Sequence, residues 1–288
     1  MAEHNILVKN LSKSFQNFTL GDISFQVPKG RIVGFIGENG AGKSTTIHLI
    51  LNELKKDSGE IKIFGKDYTD CSVKEHIGVV FDECNFHDVF TAENIEKILS
   101  GIYQSWDSAL YHQYLSRFKL PADQPVGSFS KGMKMKLSII SALAHKPKLL
   151  ILDEATSGLD PVVRDEMLDL FLEFIQDEEH SVFLSSHITS DIQKVADEVI
   201  FIHQGNIIFQ ECKDDLIYQY GILKCGKEAF AAVSPQDYLI HRSTNVCEEC
   251  LVRDKEAAKR KYKDAVVDNA ALEDIMLFYS KGGTTCAD

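Results

Sequence analysis

The sequence predicts an α/β fold with a mostly parallel core sheet, a helical insert and a short C-terminal extension. Three observations lead there: strand-like apolar runs that alternate with helical stretches, a glycine-rich loop between one such run and a helix, and a strand-poor middle segment. Length agrees, since 288 residues at roughly 150 per domain make about two domains, or one large α/β domain with an added piece.

Ile23, Phe25 and Val27 alternate with Ser24 and Gln26, the period-2 pattern of a strand with one wet face, and Pro28-Lys29-Gly30 ends it as a turn. Ile32-Val33-Gly34-Phe35-Ile36 is apolar throughout, as burial on both faces of a parallel sheet demands. After the glycine-rich stretch, Ile47, Ile50, Leu51 and Leu54 recur at helical spacing. Residues 85–146 lack strand-like runs and read as the helical insert, with loops near Pro121 and Pro125. The sheet pattern returns in Leu149-Leu150-Ile151-Leu152, in Val182-Phe183-Leu184, and in Val199-Ile200-Phe201-Ile202 turning through Gln204-Gly205-Asn206 into Ile207-Ile208-Phe209. Beyond Lys213 the pattern is less regular; Asn269 is the expected N-cap of a last helix carrying Leu272, Ile275, Met276 and Tyr279 on one face. The expected division is 3–212 for the main domain and 213–288 for the extension.

Composition narrows the functional classes. A formal net charge of −12 offers no broad basic surface for a phosphate backbone, so nucleic acid is not an expected partner. No apolar run approaches the ~20 residues of a bilayer span, and Met1-Ala2-Glu3-His4-Asn5 resembles no secretory signal. The expected location is therefore the cytosol. Seven cysteines fit a reducing compartment, and Cys247-Glu248-Glu249-Cys250 reads as two ordinary thiols in a loop, since no second pair accompanies it. The basic run Lys259-Arg260-Lys261-Tyr262-Lys263 reads as a solvated helix face, with approach to an anionic inner leaflet as its alternative.

Chemistry concentrates in a few motifs. Gly37-Glu38-Asn39-Gly40-Ala41-Gly42-Lys43-Ser44 fits G-x-x-x-x-G-K-[ST] between a buried strand and a helix. There the backbone N–H groups of Gly37, Asn39, Gly40, Ala41, Gly42 and Thr45 converge on phosphate oxygens, Lys43 reaches the β- and γ-phosphates, and the Ser44 hydroxyl is a Mg²⁺ ligand. The site takes a nucleoside triphosphate. Asp153 and Glu154 close the buried run 149–152, Asp153 to hold Mg²⁺ and Glu154 to polarise the attacking water.

Phe129-Ser130-Lys131-Gly132-Met133, lying upstream of Asp153, resembles the L-S-G-G-Q signature of the ATP-binding cassette (ABC) ATPases. Ser130 and Gly132 match it; Phe129, Lys131 and Met133 depart from it. Ser157-Gly158-Leu159-Asp160 resembles the family's D-loop, and Ser186-His187 resembles the segment bearing its switch histidine. The ordered set covers residues 3–210, and the resemblance implies a P-loop NTPase fold of ABC type with an antiparallel β subdomain beside the mostly parallel core sheet. It implies a head-to-tail dimer in which ATP lies between the P-loop of one subunit and Ser130, Lys131, Gly132 and Met133 of the other, with His187 near the γ-phosphate. Phe15 falls where the family stacks an aromatic on adenine, core packing being its other reading. Asp82 stands where the family usually has glutamine; as a shorter anionic group it is a further candidate Mg²⁺ ligand, or else a solvated loop acid. The apolar segment Asn85-Phe86-His87-Asp88-Val89-Phe90 is a candidate groove for a permease helix, with ordinary packing as its alternative.

One P-loop and one signature disfavour the two-cassette soluble ABC proteins, and chromosome-type ATPases would need a long heptad insertion or zinc modules. The resemblance therefore implies an ATPase subunit at the cytoplasmic membrane face. It would energise a separate transmembrane permease beside a second ATPase subunit and make no contact with cargo itself. Ser105-Trp106-Asp107, the run 130–137, Asp82 and the ending 272–282 are similar to ABC-2-type bacterial exporters of peptides, antibiotics or similar amphipathic molecules. An importer subunit is the alternative, as is a soluble non-transport ATPase.

Overall fold

A computed structural model describes residues 4–281. The chain divides into two compact units, Met1–Ile208 and Phe209–Asp288.

In the first unit, β1 (His4–Ser14), β2 (Thr19–Pro28) and β3 (Ile32–Ile36) precede α1 (Lys43–Ile50), β4 (Ser58–Ile63), β5 (Lys66–Asp67) and β6 (Ile77–Val80). Next come α2 (Ala92–Leu99), α3 (Ser108–Arg117), α4 (Lys131–Leu143), β7 (Leu149–Asp153), α5 (Pro161–Phe174), β8 (Ser181–Ser186), α6 (Thr189–Val195) and β9 (Glu198–His203), and β10 (Asn206–Cys212) begins in this unit and runs past its end at Ile208. Strands β2-β1-β4-β5 form an antiparallel sheet. The order β10-β9-β3-β8-β7-β6 forms a second sheet, parallel from β9 through β6. The fold is the α/β arrangement the sequence predicts.

The alternating pattern of β2 turns Ile23, Phe25 and Val27 inward, all 5% exposed or less. Every residue of β3 is buried, as strand burial on both faces requires. The rings of Phe25, Phe35 and Phe183 stack with centroids 5.2–5.8 Å apart and join the two sheets in one core with Ile47 and Ile50 of α1. Burying each such ring stabilises the fold by about 1.5–3 kcal/mol. The helices α2, α3 and α4 enclose a core of their own around Tyr111, Leu115, Leu137 and Ile140.

The second unit is more regular than its sequence pattern indicates. After α7 (Lys213–Gln219) come β11 (Gly221–Cys225), α8 (Lys227–Phe230), β12 (Ile240–Ser243), β13 (Glu248–Val252), α9 (Lys255–Lys261), β14 (Val266–Asn269) and α10 (Leu272–Lys281). The strands form an antiparallel sheet of order β12-β13-β11-β14. Two local expectations are corrected. Asn269 ends β14 and accepts a hydrogen bond from Lys255 Nζ at 2.7 Å, while Asp274 accepts from the Ala271 N–H at the start of α10. Cys250 lies fully buried within β13 and not in a loop. In α9, Lys259 pairs with Glu256 and Lys261 with Asp237 at the surface.

Candidate nucleotide site

The site forms where β3, β8 and β7, three adjacent parallel strands, reach their C-terminal ends. Loops at that edge face a crevice, where open α/β sheets bind ligands. The loop after β3 is Gly37–Gly42, and its glycines are dictated by space. A Cβ on Gly37 would fall 2.4 Å from the Ile202 carbonyl oxygen, and Gly40 and Gly42 take φ of +81° and +114°. No side chain caps α1, so its first-turn N–H groups stay open to an anion.

Lys43 is 6% exposed and donates to the carbonyls of Gly37 and Glu38 at 2.8 and 3.3 Å. Its Nζ lies 3.3 Å from Glu154 Oε1. The other oxygen of Glu154 accepts from His187 Nδ1 at 2.6 Å. The three residues, at the start of α1 and just after β7 and β8, thus form one chain, Lys43, Glu154, His187. Glu154 holds its place with φ of +54°, a left-handed conformation that places its side chain between the other two. Asp153 is buried and accepts from the Ser185 hydroxyl at 2.7 Å. Ser44 is exposed one residue into α1 and Thr45 half-exposed.

Ser130 caps α4, accepting from the Met133 N–H at 3.2 Å, and Met133 packs on the helical core. Lys131 reaches back to the D-loop, where a Cβ on Gly158 would sit 2.6 Å from its Nζ; Gly132 faces Val163. Asp160 caps α5 through the N–H groups of Val162 and Val163, with Pro161 at N1. Phe15 is 43% exposed and not in the core. Its ring lies 6.3 Å from that of Phe18, whose Cζ would be 3.0 Å from a Cβ on Gly42, so the aromatic pair flanks the phosphate loop. Asp82 is exposed in the bend after β6, and its carboxylate makes no hydrogen bond or ion pair among the described residues. Phe86 and Phe90 are half-buried on the helical core, Val89 is 66% exposed, and Phe86 lines a cleft of about 210 Å³ with Phe81, Leu99 and Tyr103. Sequence reasoning did not single out Ser185; a hydroxyl two residues before His187 on a buried strand was its only signal.

The ABC transporter family profile matches residues 20–157. The bacitracin transport ATP-binding protein BcrA of Bacillus licheniformis is 37% identical over 190 residues, 65% of this chain and 62% of that protein. The lantibiotic transport ATP-binding protein SrtF of Streptococcus pyogenes is 33% identical over 207 residues, 71% of this chain and 89% of that protein. A solved ATP-binding subunit of an ABC transporter superimposes with a TM-score of 0.66 at 28% identity, covering 73% of this chain and 91% of that one. The chain belongs to the ABC transporter ATP-binding family. It binds and hydrolyses ATP as the ATP-binding subunit of a transporter, and no helix among its described residues is long and apolar enough to cross a membrane.

Proposed function

We propose that the chain energises a separate permease that exports peptide antibiotics or similar amphipathic molecules, acting from the cytoplasmic face of the membrane. The observation that carries the catalytic part is the Lys43, Glu154, His187 chain at the ends of adjacent strands. Lys43 and the loop N–H groups hold the β- and γ-phosphates, Phe15 stacks on adenine, and Glu154 takes a proton from water as its oxygen bonds to the γ-phosphorus and the bond to the leaving diphosphate breaks. His187 is a positioning residue for Glu154 through Nδ1 and offers Nε2 to the γ-phosphate.

The donors suit Mg²⁺, a hard cation that prefers oxygen. Ser44 offers an exposed hydroxyl, Asp153 keeps Oδ2 beyond the oxygen that Ser185 engages, and Asp82 is the third donor. Among the described residues no three His, Cys, Asp or Glu converge as a metal site, so a cation held there takes its remaining ligands from phosphate and water. When bound, the cation draws negative charge off the phosphate oxygens.

The second half of the site comes from a second ATPase subunit. Its Ser130, Lys131, Gly132 and Met133 present the N-terminus of α4 to the γ-phosphate, with Asp160 at the interface. ATP closes the head-to-tail dimer and hydrolysis reopens it. The permease docks at the cleft beside residues 85–90, and residues 213–288 are an extension of the ATPase domain at 3–212. Support for the cargo class comes from BcrA and SrtF, whose names specify bacitracin and lantibiotic transport.

The test is Glu154→Gln. It should keep ATP binding, lose most turnover and accumulate an ATP-bound dimer on gel filtration with Mg-ATP; unchanged hydrolysis would remove Glu154 from its role. For the transport assignment, the chain is co-expressed with a candidate multi-span permease. Host tolerance of bacitracin should rise with the wild type and not with Lys43→Ala.

A further inference from the structure

Three buried polar atoms, Thr156 Oγ1, Arg164 Nε and Asp191 Oδ2, make no hydrogen bond of ordinary length, although Thr156 lies near enough to Asp191 to pull its carboxyl pKa down. Such atoms are costly, and each calls for a physical reason. Thr156 is fully buried two residues after Glu154, Asp191 is 3% exposed four residues after His187, and Arg164 lies four residues after Asp160. Arg164 Nη2 donates to the Leu159 carbonyl at 3.2 Å, which fixes the guanidinium to the D-loop backbone. Its Nε stands 4.0 Å from Asp191 Oδ2, an ion pair just short of hydrogen-bond contact. The D-loop turn is itself tied to the catalytic carboxylate's residue, since the Ser157 N–H donates to the Glu154 carbonyl at 2.9 Å.

We propose that Arg164 and Asp191 are positioning residues for hydrolysis: their ion pair, buried at Asp191 and half-buried at Arg164, joins the D-loop to the turn that carries His187, so that movement of the one sets the place of the other. Among the described residues neither partner shares a hydrogen bond or ion pair with Lys43. Closing the gap between Nε and Oδ2 by about an ångström would satisfy both atoms with a charge-assisted bond. Burial pushes the Asp191 carboxyl up, against the opposing pull of Thr156, Arg164, Ser190 and His187. The inference rests on the two-subunit reading above, in which the D-loop faces the partner. Contact there is then transmitted through Arg164 and Asp191 to His187 and on to Glu154.

The experiment must separate positioning from simple support. Breaking a buried pair at one end destabilises, whereas replacing both partners by apolar residues of similar volume is often neutral. Arg164→Met/Asp191→Leu therefore keeps the packing and removes the charges; Asp191→Asn removes only one charge with no change of shape. In full-length protein we measure the thermal midpoint, the affinity for a fluorescent ATP analogue, and kcat and KM for ATP. The expected result is a folded double variant whose ATP affinity and KM stay within about twofold of wild type and whose kcat falls about tenfold. Asp191→Asn should split kcat from KM in the same direction. Wild-type kcat in a folded double variant overturns the proposal, as does a parallel loss of ATP affinity. If neither variant unfolds cooperatively, the pair is a folding element and the proposal fails. Glu154→Gln run alongside reports on the site itself: retained turnover there would indict the catalytic assignment and not the ion pair.

Discussion

Lys43 and Glu154 neutralise each other at 3.3 Å, and each is also held from a second side. Removing the cation should therefore act on binding before chemistry. Lys43→Ala deletes the side-chain cation that the loop offers the phosphates, which should weaken ATP affinity by about 1.5–3 kcal/mol, tenfold or more; titration with a fluorescent ATP analogue measures it, and equal affinity would mean the phosphate site is misplaced. At Asp82 the question concerns metal. If its carboxylate helps to hold Mg²⁺, Asp82→Asn should raise the MgCl₂ needed for half-maximal hydrolysis more than it changes ATP affinity; superimposable magnesium curves would assign it to solvent. The identities of Lys43, Ser44, Asp153 and Glu154 were legible because the P-loop fixes positions in a single stretch and the two acids end a buried run. Their mutual contacts were not. The bond from Ser185 to Asp153 and the pairing of Arg164 with Asp191 join segments more than 25 residues apart, which no local spacing encodes.

Elements differ in how plainly they declare themselves. The strands β3 and β7 are apolar from end to end and read directly as buried strands. By contrast, β13 begins with Glu248 and Glu249, both 9% exposed or less, so its pattern looks solvated. Each acid is buried because its neighbour in β12 satisfies it: Glu248 accepts from His241 at 2.6 Å and from Ser243, and Glu249 accepts from Arg242 at 2.7 Å. Those cross-strand pairs are what the sequence pattern could not reveal. They also carry a pH dependence. The hydrogen bonds from Ser243 and His241 hold the Glu248 carboxyl below its ordinary value of 4.5. A depressed carboxyl stabilises the fold above its unfolded pKa and loses that contribution as pH falls through the folded pKa. The thermal midpoint of the second unit should thus drop on acidification below about pH 4.5. Glu248→Gln should start lower at neutral pH and show a shallower acid decline; identical slopes would exclude Glu248 as a source of the pH dependence.

For the whole molecule, the proposed two-subunit site means that one chain holds only half of a working ATP site. In that proposal Lys43 and Glu154 would supply the hydrolytic half, and Ser130, the N-cap of α4, would supply a half that serves a second copy. The mixing of two dead variants tests this most directly. Ser130→Arg fills the signature cradle and leaves its own P-loop intact; Lys43→Ala does the reverse. Each should be inactive alone. A mixed dimer pairs the intact P-loop of the first with the intact signature of the second, so the mixture should recover turnover on the order of a quarter of wild type, from random pairing with one whole site per mixed dimer. No recovery in a mixture shown to form mixed dimers would contradict the composite site.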